Sequence, residues 1–513
     1  MARWTRLPCE KHFAAPLGDF HALQPPFLLS SKLLFLLVGT LWCVSTWARP
    51  ALVGEDFNPK GLYDPLVYSL DNGLTVVLRP RHHVPNTTIF AVVGLGTAHY
   101  ACGKREVPHF LEHMLFDAIA DMSETELEQK MYEHGISANA FTDRDATVYQ
   151  FAGYAPNAPV ALNALSRFLY SGELSREAFQ QAQAIIKQEY GGKPTVLERW
   201  LHRNELQKSA LRYAVADKSS QYFGICPELD WGQNVTYEDV ESAYETYYRP
   251  ANTTLILVGD LDLEEARSWI EANLGFVESA GDASPPEIET AGTFATPVYR
   301  GYAAQPGVGV AVPTGGLLDD DYYARRLIRH YLSNRLLKRL RFETGLTYSP
   351  SVYEYSGPTF GIFGIQADLD ADRADAALEI IHEELERLRS SPMDEDEFRG
   401  AQLALLKRWA QGTETNRGFA NYYRDSLDEL RVFGALRNEE VAVASLTPVA
   451  LQEAAHRLLD PDRIAVLRDE SYMERLQSVL LVLGALVLAV GAGLFIWMSP
   501  YRRRDGVRRP RPW

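Results

Sequence analysis

Two stretches decide the fold: Gly153–Glu189, GYAPNAPVALNALSRFLYSGELSREAFQQAQAIIKQE, and Ala367–Arg408, ADLDADRADAALEIIHEELERLRSSPMDEDEFRGAQLALLKR. Phe179 aligns with Phe398, and the pair Ala182-Gln183 with Ala401-Gln402. Internal similarity of this kind points to a repeated supersecondary unit. Ahead of the first stretch, strand-like runs at Leu74–Arg79 and Thr88–Gly94 lead to helical periodicity around 108–117 and from Ser123. A strand pair near Asn139–Tyr154 follows, then long helices from Ala158 and Ser175. Each part closes on a strand-like run, Thr254–Val258 and Arg463–Leu467. Strands that come first and helices that follow predict an α+β chain of two tandem homologous sheet-plus-helices domains.

The stretch 278–294, ESAGDASPPEIETAGTF, lacks apolar periodicity and is rich in Gly, Pro, Ser and acids. It reads as a linker between a domain at 60–277 and a second at 295–470. At 513 residues with 46% hydrophobic side chains, the chain has ample material for two buried cores. Its formal charge of -16 argues against a phosphate-tracking surface, so no nucleic-acid partner is expected.

The charge is unevenly spread. Residues 1–49 hold five basic and two acidic side chains, and residues 499–513 hold six Arg and one Asp. Each basic end abuts an apolar run. Leu33–Ala48 follows Lys32 without a charge and ends in small residues, so residues 1–48 read as a signal peptide or a signal anchor. Leu476–Met498 is uncharged for 23 residues, enough for a bilayer core that needs about 20. With the Arg-rich tail at 499–513 behind it, residues 476–498 form a stop-transfer arrangement: one transmembrane helix, a cytoplasmic tail and an extracytoplasmic body. In a bacterium that body is periplasmic. Cys102 and Cys226 are the two cysteines of the body, and either a disulfide or two buried thiols is open to them.

The sharpest local feature is VPHFLEHMLF, residues 107–116, in which His109, Glu112 and His113 form H-x-x-E-H. On a helix, residues four apart share a face, so both imidazoles reach one cation, and Glu112 lies on the same side. Pro108 suits a first helical turn, where no backbone donor is needed. His82-His83 reads instead as a polar loop between strands.

A hydrolytic zinc site needs three protein ligands and an open position. H-x-x-E-H with Glu189 placed 76 residues after His113 resembles the pitrilysin/insulinase family of inverted-zincin metallopeptidases, of the two-domain processing-peptidase-like kind. GISANAFTDRDATVYQF from Gly135 is similar to the family's Asn-Ala-x-Thr strand. RFETGLTYS from Arg341 is similar to its Arg-x-x-x-Gly-Leu-x-Tyr element. The resemblance covers roughly residues 66–470. It implies one Zn2+ per chain held by His109, His113 and Glu189, with Glu112 as the base. It also implies Arg341 and Tyr348 as catalytic groups reaching over from the second domain, and Gly135, Ala138 and Asn139 at a sheet edge where substrate adds as a strand.

One departure stands out. Family members carry a second Glu seven residues before the third ligand, and here that position is Ala182. The second copy has Arg408 where Glu189 aligns and no H-x-x-E-H, so only the first copy is built for metal. The expected function is a membrane-anchored zinc endopeptidase hydrolysing peptides or unfolded segments outside the cytoplasm. A catalytically silent subunit of a peptidase complex is the alternative. Dimerisation, with itself or with a related chain, is expected by analogy with the four-domain assembly of longer members.

Overall fold

The computed structural model of the chain describes residues 52–498 other than 55–56, 59, 120–121, 193–194, 197–198, 200–225, 227–230, 279–283, 285–297, 304 and 358. The segment expected as a signal, the Arg-rich tail and most of the expected linker lie outside the described residues. Eleven strands are present among them: β1 Leu66–Ser69, β2 Thr75–Pro80, β3 Asn86–Val93, β4 Ile136–Thr142, β5 Thr147–Tyr154, β6 Thr253–Gly259, β7 Val298–Ala303, β8 Gly307–Thr314, β9 Ser351–Ser356, β10 Gly361–Asp368 and β11 Ala465–Ser471. They form a six-stranded sheet, β1-β2-β6-β3-β5-β4, and a five-stranded sheet, β7-β11-β8-β10-β9.

The two sheets share one connectivity. Strands β2 and β6 pair in parallel, as do β7 and β11, whereas β3 with β6 and β5, and β8 with β11 and β10, pair antiparallel. Strands β4 and β9 close the corresponding edges against β5 and β10. The first sheet differs by one added outer strand, β1.

Helices α1 Val107–Leu115, α2 Glu124–Glu133, α3 Ala158–Tyr170, α4 Arg176–Glu189, α5 Tyr237–Tyr247 and α6 Leu263–Leu274 accompany the first sheet. With the second run α7 Tyr322–Leu336, α8 Ala374–Ser390, α9 Glu395–Gly412, α10 Asn416–Asp425, α11 Leu427–Phe433, α12 Glu439–Ser445, α13 Pro448–Leu458 and α14 Tyr472–Met498.

Strand periodicity assigns each face of the first sheet its own core. Val76, Leu78, Ile89, Ala91, Tyr149, Leu255 and Leu257 pack under the helices of the first half. Their neighbours Val77, Phe90, Val92, Ile256 and Val258 face the other way, against Phe419, Ala420 and Tyr423 of α10. Strand β6, TTLILVG, is buried throughout, as a strand covered on both faces must be. Polar bonds fix this crossing. Arg81 donates to Asn416 Oδ1 at 3.0 Å and its guanidinium lies 3.9 Å from the Phe419 ring centroid, while the Tyr423 hydroxyl donates to the Leu62 carbonyl at 2.9 Å.

The second sheet has a core of its own, with Val308, Val310, Phe363 and Ile365 under α7, α8, α9 and α13. On its other face, Ala311, Ile362, Ala465 and Leu467 pack with Ala98, a residue of the first half. A disulfide joins Cys102, just ahead of α1, to Cys226. Helix α14 begins at the residue after β11 ends, four residues earlier than the apolar run alone indicates.

Candidate metal centre

Helix α1 follows its N-cap residue, Glu106, and places Pro108 in its first turn. Val107, Phe110, Leu111, Met114 and Leu115 are buried in the core. That leaves His109, Glu112 and His113 on the remaining, half-buried face. Helix α4 is capped by Ser175, whose Oγ accepts from the Ala178 backbone at 3.0 Å, and it buries Ala178, Ala182 and Ile186. Glu189 follows Ile186 by three residues and closes the helix with its side chain 47% exposed. Phe110 stacks on Phe179 with centroids 5.1 Å apart, which holds the two helices together.

Among the described residues, His109, His113 and Glu189 form the group of metal-ligating side chains whose donor atoms all lie within 4.8 Å of one another. His109 Nε2 is 3.2 Å from His113 Nε2 and 3.4 Å from Glu189, and His113 Nε2 is 3.6 Å from Glu189. Tetrahedral coordination at zinc bond lengths places neighbouring donors roughly 3.3 Å apart. The three observed separations bracket that value. His109 Nδ1 donates to Glu106 Oε2 at 2.8 Å, so in the neutral ring Nε2 carries the lone pair. Two ring nitrogens and a carboxylate at these distances could share one cation, and the donor set fits zinc.

Glu112 stands beside this group. Its Oε2 accepts from the Thr142 hydroxyl at 2.6 Å, and Thr142 is the last residue of β4. Burial pushes the Glu112 carboxyl up, with the Glu189 charge adding to it and the Thr142 bond and His109 opposing. For His109, burial works to lower the imidazole, but the hydrogen bond and charge of Glu106 outweigh it and hold the ring above its ordinary range. Burial and the neighbouring His109 hold His113 below its range.

Of the other residues singled out from the sequence, Gly135 sits in the turn before β4 with φ of +62°, which suits glycine. Ala138 and Asn139 are on β4 opposite Phe151 and Gln150, on the free edge of the first sheet. Arg341 and Tyr348 come together with each other, the guanidinium 4.0 Å from the ring centroid, and Tyr348 is 77% exposed. Neither bonds to the metal-ligating group. His82 pairs with Asp260 at 2.7 Å in the loop after β2.

Three contacts were not read from the sequence: Glu106 on His109, Thr142 on Glu112, and the Tyr190 hydroxyl, which donates to Glu106 Oε1 at 3.0 Å. The spacing Glu-x-x-His at 106–109 is the one local signal among them, since side chains three apart meet on a helix.

An α+β fold carrying a helix-borne imidazole pair, a nearby carboxylate and a second carboxylate beside them is the arrangement that the inverted zincins share. The comparisons agree with it. Residues 75–218 match the family model described as Insulinase (Peptidase family M16), and residues 234–405 match Peptidase M16 inactive domain. The chain belongs to this family. It is 23% identical over 280 residues to the mitochondrial-processing peptidase subunit beta of Lentinula edodes, a match covering 52% of this chain and 58% of that one. To the uncharacterized zinc protease YmxG of Bacillus subtilis it is 21% identical over 332 residues, covering 63% and 78%. In fold it is similar to a protease from Helicobacter pylori, with a TM-score of 0.69 and 16% identity over 80% of this chain and 99% of that one. The periplasmic protease PqqL of Escherichia coli follows at 0.63 and 16%, over 79% and 48%.

Proposed function

We propose that this chain is a zinc endopeptidase acting on peptides or unfolded segments, anchored by α14 with its body outside the cytoplasm. The observation that carries the reading is the convergence of His109, His113 and Glu189 beside a free carboxylate that is itself tied to a sheet edge. One zinc ion bound by those three residues would supply the Lewis acidity that activates water near neutral pH and polarises a peptide carbonyl. Glu112 takes the proton of the attacking water and passes it to the leaving amine, as its position next to the ligands and its raised proton affinity suit it to do. A substrate strand laid on β4 brings its backbone past Thr142 and therefore past Glu112. Arg341 and Tyr348 donate to the scissile carbonyl and the developing oxyanion when the second half closes on the substrate.

The anchoring rests on α14, whose segment Leu476–Phe495 has mean hydropathy 2.5 and no burial against the body. The disulfide supports an oxidising compartment. A second reading, a silent partner subunit, draws on the inactive-domain match of the second half and on Ala182. The deciding experiment incubates the purified protein with a mixed peptide pool, with and without chelator, and reads cleavage by mass spectrometry alongside bound zinc. Chelator-sensitive cleavage is expected. Stoichiometric zinc without cleavage would favour the subunit reading, and absence of zinc would overturn the site.

A further inference from the structure

The supporting carboxylate that the family places on the third ligand's helix is absent at Ala182, yet His109 is not left without one. Its Nδ1 bonds Glu106, which comes from the other helix of the site, three residues ahead of His109 on α1. We infer that Glu106 has taken over the positioning of His109, so that the metal-orienting carboxylate has moved from α4 to the N-cap of α1. The inference rests on the zinc-site reading above.

Four observations carry it. The Glu106 side chain is 4% exposed, and a carboxylate buried to that degree needs partners for both oxygens. Both have them. Oε2 receives His109 Nδ1 at 2.8 Å and Oε1 receives the Tyr190 hydroxyl at 3.0 Å. Tyr190 directly follows the ligand Glu189, so the pair forms a bridge from one ligand to the residue beside another. The carboxylate is also not spent on the ordinary work of an N-cap, since it makes no capping bond to the helix backbone. Finally, Gly232, at φ +77°, closes over it: a β-carbon there would lie 3.1 Å from Glu106 Cβ and 2.5 Å from Phe110. A side chain at 232 would thus press on Phe110 and on the stem of Glu106, beside the carboxylate.

The geometry explains how Glu106 can reach. Side chains on a helix lean toward its N-terminus, so the His109 ring tilts back over the first turn, where Glu106 sits. Accepting the Nδ1 proton fixes the tautomer and ring plane and leaves Nε2 aimed at His113 and Glu189. A negative group at the helix start is also favoured by the helix dipole. At Ala182, meanwhile, a methyl group in the apolar core suffices.

Glu106→Ala and Glu106→Gln of the full-length protein test this, read by zinc transfer to a chelator and by the rise in melting temperature that zinc produces over each variant's own apo form. Glu106→Ala should lose zinc about 10–100-fold faster than wild type, the usual cost of removing such a partner. Its zinc-dependent rise should shrink in step. Glu106→Gln retains an acceptor for Nδ1 and should fall between the two. A purely structural Glu106 would change the apo melting temperature and leave the zinc increment and transfer rate alone, and that result overturns the inference. Wild type that fails to hold one zinc would instead sink the metal site itself.

Discussion

The first half sets α1 against α4, and the second sets α7 against α9 in the same place of the same connectivity. Their inner faces are interchangeable in kind: Phe179, Ala182 and Ile186 on α4, Phe398, Ala401 and Leu405 on α9, all packed in apolar cores. The helices α4 and α9 differ in charge at one matching position. Where α4 ends in Glu189, α9 carries Arg408, and its charge, after burial, holds the His330 imidazole of α7 below its ordinary range together with Arg329. Burial and the neighbouring charges of Arg326 and Arg408 likewise depress Arg329. A guanidinium at that position offers a divalent ion no ligand. A duplicated framework therefore leaves the chemistry undecided, and a handful of side chains on the exposed faces decide it.

The largest effect should come from Glu112→Gln, which keeps the three proposed ligands of the first half and removes the proposed base. We expect turnover to fall by about 10³-fold or more with zinc content unchanged, and activity above about a tenth of wild type would refute the assigned role. Next, Glu189→Gln moves the first half toward the second by removing the anionic ligand. Zinc affinity, measured by competition with a chelator, should drop at least about 100-fold. Arg341→Ala and Tyr348→Phe probe the contribution of the second half, and each should lower turnover by roughly 10–100-fold at full zinc occupancy. Wild-type turnover in both would reduce that half to a wall around the substrate.

Smaller still, Arg81→Ala strips the crossing of α10 of a buried hydrogen bond and a ring contact, and should cost about 2 kcal/mol in denaturant unfolding. Arg408→Glu should do least. One carboxylate without an imidazole pair does not make a site, so zinc should stay at one per chain, and a second equivalent would break the contrast drawn above.

The strands and the helices of the first half were legible because their signals are local: short unbroken apolar runs, VVL and IFAVV, and an H-x-x-E-H that leaves one face free. The strand expected at Arg463–Leu467 begins only at Ala465, because Pro461–Arg463 is taken up by a 3-10 turn. The packing of α10 on the first sheet could not be read, since Arg81 and Asn416 meet across 335 residues of chain. The cysteine pairing was open for the same reason, with 124 residues between partners whose Cα atoms lie 5.5 Å apart. Glu106 escaped notice because a lone acid at a helix start usually serves the helix dipole, and only the fold shows it turned inward.

The join at Ser471 and Tyr472 has a mechanical meaning. Strand β11 is held on both sides, by β7 and by β8, and passes into α14 without a spacer. There is no swivel. With α14 in a bilayer, the direct passage from strand to helix would leave no linker between the body and the membrane, so the body would stand at a fixed height above it. Its reach is set by what diffuses to it, and lengthening this joint by a few flexible residues would change which chains near the membrane surface it meets while leaving its chemistry alone.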